Sequence, residues 1–229
     1  MVSSDLRTSV DPRIRARVDD VRIDVVRLAS LTVDAIANGT QALLNGDLEE
    51  ADRVVADDDA VDSLRHAIED QCLWIFGRPG LAPADLRFVG VAMKVAHELE
   101  RSADLMVNVA KATWRLFPRH LDPTASHLVD RLGRQASVQL RVAINAFADR
   151  DPSWAAALSD MDETIDELEK SLFRHILAAD GHDDGALNDA VQLALVARHY
   201  ERIGDHAVTI ARQVHFVVTG EHARRRQFR

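Results

Sequence analysis

The chain has 229 residues, with 28 Lys and Arg against 37 Asp and Glu for a formal charge of −9, and is 47% hydrophobic and 28% charged. That balance fits a soluble globular protein of one large domain or two small ones, and it lacks the cationic surface that nucleic-acid backbones require, so no nucleic-acid partner is expected. The single cysteine, Cys72, excludes an intrachain disulfide. No segment approaches the ~18 uninterrupted apolar residues of a membrane span, and Met1–Arg7 carries no apolar leader, so a cytoplasmic location without membrane insertion is expected.

Aromatics make up only 5% of the chain, and six prolines and ten glycines punctuate it, which favours long helices. The first predicted helix runs from about Ile14 to Leu44, with Val18, Val21, Val25, Leu28, Ala29, Thr32, Ile36 and Leu43 spaced by threes and fours along one face. Asn45-Gly46-Asp47 ends it, the glycine being suited to a left-handed turn. The second runs from about Leu48 to Phe76, facing inward through Val54, Val55, Val61, Leu64, Ile68, Cys72 and Ile75. Gly77–Gly80 and Pro83 break the pattern, and Asp85 is placed to cap a third helix that continues to about Phe117 through Val89, Met93, Ala96, Ala103, Val107, Ala110 and Trp114. After the linker Phe117–Pro123 the pattern restarts, with helices over about Thr124–Ala148, Pro152–Ala178 and Ala186–Val218, the last two separated by Asp180–Gly185.

The second half repeats the first. Asp58-Asp-Ala-Val-Asp-Ser-Leu64 aligns with Asp162-Glu-Thr-Ile-Asp-Glu-Leu168, and the same offset places Arg27-Leu28 on Arg131-Leu132. Glu100-Arg-Ser-Ala-Asp104 aligns with Glu201-Arg-Ile-Gly-Asp205 at an offset three residues smaller, so the length difference falls in the second-to-third helix hairpin, where duplicated helical units tolerate it. The expected division is 1–117 and 118–229.

The repeated feature is a pair of carboxylates four residues apart: Asp58 and Asp62, Glu100 and Asp104, Asp162 and Asp166, Glu201 and Asp205. Residues at this spacing are neighbours on one helix face, where like charges repel by a few tenths of a kcal/mol (about 0.2–0.5) in isolation. Four such pairs, set beside the apolar stripes and in register between copies, suggest a cation that relieves the repulsion. If the second and third helices of each copy form an antiparallel hairpin, four carboxylates meet along one groove, a donor set for iron, manganese, magnesium or zinc. The plainer alternative is that the stripes only face solvent. His97 and His206 fall outside the repeat, their counterparts being Arg198 and Leu105, and read as satisfied or surface histidines. A glycine-rich phosphate loop, Gly-x-Ser-x-Gly, a Cys/His nucleophile pair and Glu-x-x-His are all missing, so no catalytic residue is assigned and oxygen-activating di-iron chemistry is disfavoured.

Arg198-His-Tyr-Glu-Arg-Ile-Gly-Asp-His-Ala-Val-Thr-Ile-Ala-Arg212 resembles the signature of the last helix of the PhoU family of phosphate-signalling regulators. Glu98-Leu-Glu-Arg-Ser-Ala-Asp104, Asp85-Leu-Arg87 and Asp162-x-x-x-Asp166-x-Leu168 are similar to its other motifs, and the resemblance spans about Arg13 to Glu221. It implies an all-α fold of two tandem three-helix bundles related by an internal pseudo-two-fold. It implies that the eight paired carboxylates hold iron or zinc, in clusters of several ions. It also implies a homodimeric, non-enzymatic adaptor that joins a phosphate ABC transporter ATPase to a sensor histidine kinase and represses the phosphate-starvation response. The competing readings are a carboxylate-rich iron store or ferroxidase and a plain helical interaction module. The basic tail Arg224–Arg229 lies outside the family pattern.

Overall fold

The computed structural model describes residues 12–178 and 184–221. Six helices account for nearly all of them: α1 (Pro12–Asn45), α2 (Leu48–Phe76), α3 (Pro83–Leu116), α4 (Pro123–Asp149), α5 (Trp154–Ala178) and α6 (Asp184–Thr219). No strand occurs among the described residues. Every apolar position named for the first helix is buried in α1. Gly46 takes the left-handed conformation (φ 64°) that turns the chain out of α1, and Asp47 caps α2 by accepting a hydrogen bond from the Glu50 N–H.

Two details differ from expectation. The third helix starts earlier than an Asp85 cap would place it. Ala82 is the cap residue and Pro83 opens the first turn, where the missing N–H costs nothing. Asp85 lies within that turn, 3.9 Å from Arg150 Nη1. Trp114, expected on the inner stripe, is exposed and donates its indole N–H to Asp52 Oδ1 at 3.0 Å. Its polar edge draws it across the α2–α3 groove instead of into the core. The tail Arg224–Arg229 and most of the Asp180–Gly185 loop lie outside the described residues.

The first three helices pack on one another, as do the last three, and the halves meet through α1 on α4 and α3 on α6. Along α3 and α6, Arg87 reaches the Val217 carbonyl, Ser102 meets His206 and Arg115 meets Gln192. The two helices are therefore antiparallel. Each inter-half contact joins a helix to its own counterpart, so the pseudo-two-fold crosses both contacts, and α2 and α5 flank the body on either side. The core is continuous across the halves, with Phe88 of α3 stacked on Phe147 of α4 at 5.1 Å.

Close backbone approach fixes the α1–α4 contact. A Cβ on Gly133 would stand 2.5 Å from Thr40 Oγ1 and 2.7 Å from its methyl carbon. The hydroxyl of Thr40 donates to the Ile36 carbonyl, and the fully buried Tyr200 hydroxyl reaches it at 2.7 Å, tying α1 to α6. At the α3–α6 crossing, Ser102 hydrogen-bonds His206 Nδ1 at 2.9 Å. The pseudo-two-fold maps this polar pair onto Ile203 and Leu105. The sequence difference between the two motifs is thus a paired exchange at the inter-half contact. His206 is buried and satisfied, and burial depresses its pKa to about 4.

Candidate metal centres

The α2–α3 hairpin brings Asp58 and Asp62 against Glu100 and Asp104 midway along the helices. Asp58, Asp62 and Glu100 are half-buried and Asp104 is exposed. Burial pushes the Asp58 carboxyl up to about 6, and the fields of Asp104, Asp62 and Glu100 add to it. Burial, then Asp104, raises Glu100 as well. Its Oε2 is buried without a hydrogen-bond partner, with His97 Nδ1 3.4 Å away on the exposed side. Arg65, paired with Glu69 at 3.0 Å, stands at the end of this quartet and partly offsets it.

The α5–α6 hairpin builds the same arrangement from Asp162, Asp166, Glu201 and Asp205. Asp162, Asp166 and Glu201 are half-buried and Asp205 is exposed, repeating the first quartet position by position. Burial lifts Glu201 to about 7, helped by Asp205, and lifts Asp162 to about 6, helped by Asp205 and Asp166. Asp205 is raised too, again chiefly by burial. Glu201 Oε2 is buried without a hydrogen-bond partner, as is Glu100 Oε2 at the equivalent position. Its other oxygen receives Arg198 Nη1 at 2.7 Å, and Arg198 also lies 3.7 Å from Glu169.

All eight carboxylates named from the sequence therefore fall into two groups of four, one in each half. What spacing alone did not reveal is the surroundings. Arg65 and Glu169 occupy equivalent positions with opposite charge, as His97 and Arg198 occupy equivalent positions with different basicity. Gln139 of α4 reaches the second quartet from the core, its Nε2 3.4 Å from Asp162 Oδ1. Where Gln139 stands, the first half has Ala35. There a cleft of about 300 Å³ opens beside Asp58, with Ala35, Ala103, Asp34 and Asn38 among its walls.

The donors are oxygen throughout, and each quartet holds one buried carboxylate oxygen that makes no hydrogen bond. Burying such an acceptor costs about 1–3 kcal/mol, which a hard cation would recover. Among the described residues no three His, Cys, Asp or Glu side chains stand close enough to form a ready coordination shell. Each quartet consists of two facing pairs that a cation would draw together. By donor chemistry the residues suit a hard cation, which Asp58, Asp62, Glu100 and Asp104, or Asp162, Asp166, Glu201 and Asp205, would hold once drawn closer.

The comparisons with known proteins agree with this duplicated architecture. The family model described as the PhoU domain matches the chain twice, over residues 25–113 and 129–214. The chain is 32% identical over 204 residues to a phosphate-specific transport system accessory protein PhoU homolog of Zymomonas mobilis, covering 88% of this chain and 84% of that one. The crystal structure of PhoU from Pseudomonas aeruginosa superposes with a TM-score of 0.84 at 28% identity, covering 90% of this chain and 99% of that one. The phosphate transport system regulatory protein PhoU from Streptococcus pneumoniae superposes with a TM-score of 0.83 at 25% identity, covering 92% and 99%.

Proposed function

The chain belongs to the PhoU family, and on that footing we propose that it is a non-enzymatic, cation-binding regulator of phosphate uptake and phosphate-starvation signalling. Its relatives are named for the phosphate-specific transport system, and no helix among the described residues is long and apolar enough to cross a membrane. In this reading the protein acts in the cytoplasm as a homodimer. It docks on the ATPase of a phosphate ABC transporter and on a sensor histidine kinase, and holds the starvation response off when phosphate is ample.

The observation that carries the cation part is the recurrence of one half-buried carboxylate quartet in both halves, with the same member of each exposed and the same glutamate oxygen left without a hydrogen bond. A bound divalent or trivalent ion would add positive charge that Arg65 at one quartet, and Arg198 and Arg212 at the other, supply only in part. The chain's own residues do the rest. The pairs on α2 and α5 face those on α3 and α6, so the ligated state ties the flanking helices to the central ones and fixes the outer surface a partner would meet.

Deleting the chain from its host is expected to leave phosphate uptake and starvation-response transcription high in ample phosphate. Uptake and transcription that still shut off normally would remove the regulatory reading.

A further inference from the structure

The two halves differ in one respect that the repeated motif does not contain. Gln139 is fully buried, yet the only hydrogen bond of its side chain among the described residues is the 3.4 Å contact to Asp162, and its Oε1 has no partner there. It lodges against Gly204, where a Cβ would stand 3.3 Å from that Oε1, 3.4 Å from Asp162 Oδ1 and 3.0 Å from Ile165 Cγ2. The first half has Ala35 and Ala103 at the matching positions, and the cleft beside Asp58 in place of the amide. Glutamine and glycine in one half thus replace two alanines in the other, a volume exchange across the α4–α6 contact that admits a polar side chain behind one carboxylate. An apolar residue of similar size would fill the space without burying an unsatisfied oxygen, so folding does not account for the amide.

We propose that Gln139 is a positioning residue for the α5–α6 cation site, donating to Asp162 from the core side so that the carboxylate's other oxygen points into the groove. The inference rests on the cation reading of the quartets. Carboxylates that bind metals are commonly oriented by such outer hydrogen bonds, and losing one typically costs about 10–100-fold in metal affinity. The α2–α3 quartet has no such support, so the two sites respond differently to the same substitution.

The test is manganese(II) binding by the full-length, chelator-stripped chain in two backgrounds. Asp58→Ala with Asp104→Ala leaves the α5–α6 quartet alone, and Glu201→Ala with Asp205→Ala leaves the α2–α3 quartet alone. Gln139→Met is expected to weaken binding about 10–100-fold in the first background and to leave it unchanged in the second. The melting temperature in EDTA is expected to hold or rise, because a buried unsatisfied amide has been removed. A merely structural glutamine would lower that temperature and shift both backgrounds alike. If the backgrounds bind manganese through their remaining quartets but Gln139→Met changes neither, the positioning role is wrong and the cation reading stands. If both backgrounds bind as the unaltered chain does, the quartets are not cation sites and both ideas fail.

Discussion

The two carboxylate quartets of chelator-stripped protein are expected to add stability as the pH falls from 8 to about 5. Glu201 titrates near 7 in the fold, and Asp58 and Asp162 near 6, whereas all three titrate near 4 in the unfolded chain. A folded-state pKa above the unfolded one means the native state binds the proton more tightly. The stability this contributes is complete below about pH 4 and is lost as the pH rises through 6 and 7. At about 1.4 kcal/mol per unit, discounted for coupling and for solvent in the groove, the three groups together account for roughly 3 kcal/mol. Opposing carboxylates act outside this window, but His206, pushed down to about 4, and His199, also lowered, both chiefly by burial, resist protonation in the fold and remove stability as the pH falls below about 6.5, so the quartet contribution is read as a difference between two proteins. Asp122, lowered by its hydrogen bonds from His175 and the Thr124 and Ala125 N–H groups, loses its stabilising effect only at more acid pH. Urea unfolding in EDTA across pH 5–8 checks this: against the combined Asp58→Asn, Asp162→Asn and Glu201→Gln variant, the stability of the unaltered chain is expected to gain as the pH falls. A difference between the two proteins that is flat, or that rises with pH, would contradict the buried-charge description of the quartets. With saturating metal the slope is expected to reverse, because protons then compete with the ion.

Gly133→Val is expected to cost about 3 kcal/mol or more. The new side chain would enter space held by Thr40, whose hydroxyl is fixed by the Ile36 carbonyl and by the buried Tyr200 hydroxyl. Neither helix can move without opening the α1–α4 contact, and overpacking of a rigid core typically costs 1–3 kcal/mol, with the loss of the Thr40–Tyr200 bond in addition. Gly90→Ala is the matched control. A Cβ there meets only Phe76 Cζ at 3.8 Å, so the better helix propensity of alanine should leave stability unchanged or raise it by up to about 1 kcal/mol. Equal urea midpoints for Gly133→Val and the unaltered chain would show that the helices separate freely at that point.

The helices and their duplication were legible in the sequence because periodicity and repeat offsets are properties of the chain alone. The stripe from Val18 to Leu43 could face only one way once helical, and the alignment of Asp58 with Asp162 needed no coordinates. The carboxylate pairs were legible for the same reason, since a four-residue spacing on a helix sets a common face. Trp114 was misplaced because spacing ranks it with its apolar neighbours, while its N–H found Asp52 across the groove. Gln139 was missed because it comes from α4, far in sequence from the carboxylates it serves, and its polarity on a buried face becomes meaningful only when α4 is seen packing on α5 and α6. One comparison would have flagged it. Set against the first half, Gln139 falls on Ala35 and Gly204 falls on Ala103. The exchange of Ser102 and His206 for Ile203 and Leu105 is a difference between the two carboxylate motifs. It belongs to the contact between halves, because the pseudo-two-fold passes between those positions.

The central claim is that the two quartets hold metal ions, and the most direct measurement is elemental analysis of protein purified without chelators, paired with melts before and after EDTA. Iron, manganese or zinc is expected, with a lower melting temperature after chelation, since an ion bound only by the native state stabilises it. Glu201→Ala with Asp205→Ala is expected to lose the α5–α6 share of that metal while remaining helical. Protein that carries no metal, takes none up, and melts at the same temperature with and without EDTA would contradict the claim and return the eight carboxylates to a solvated surface.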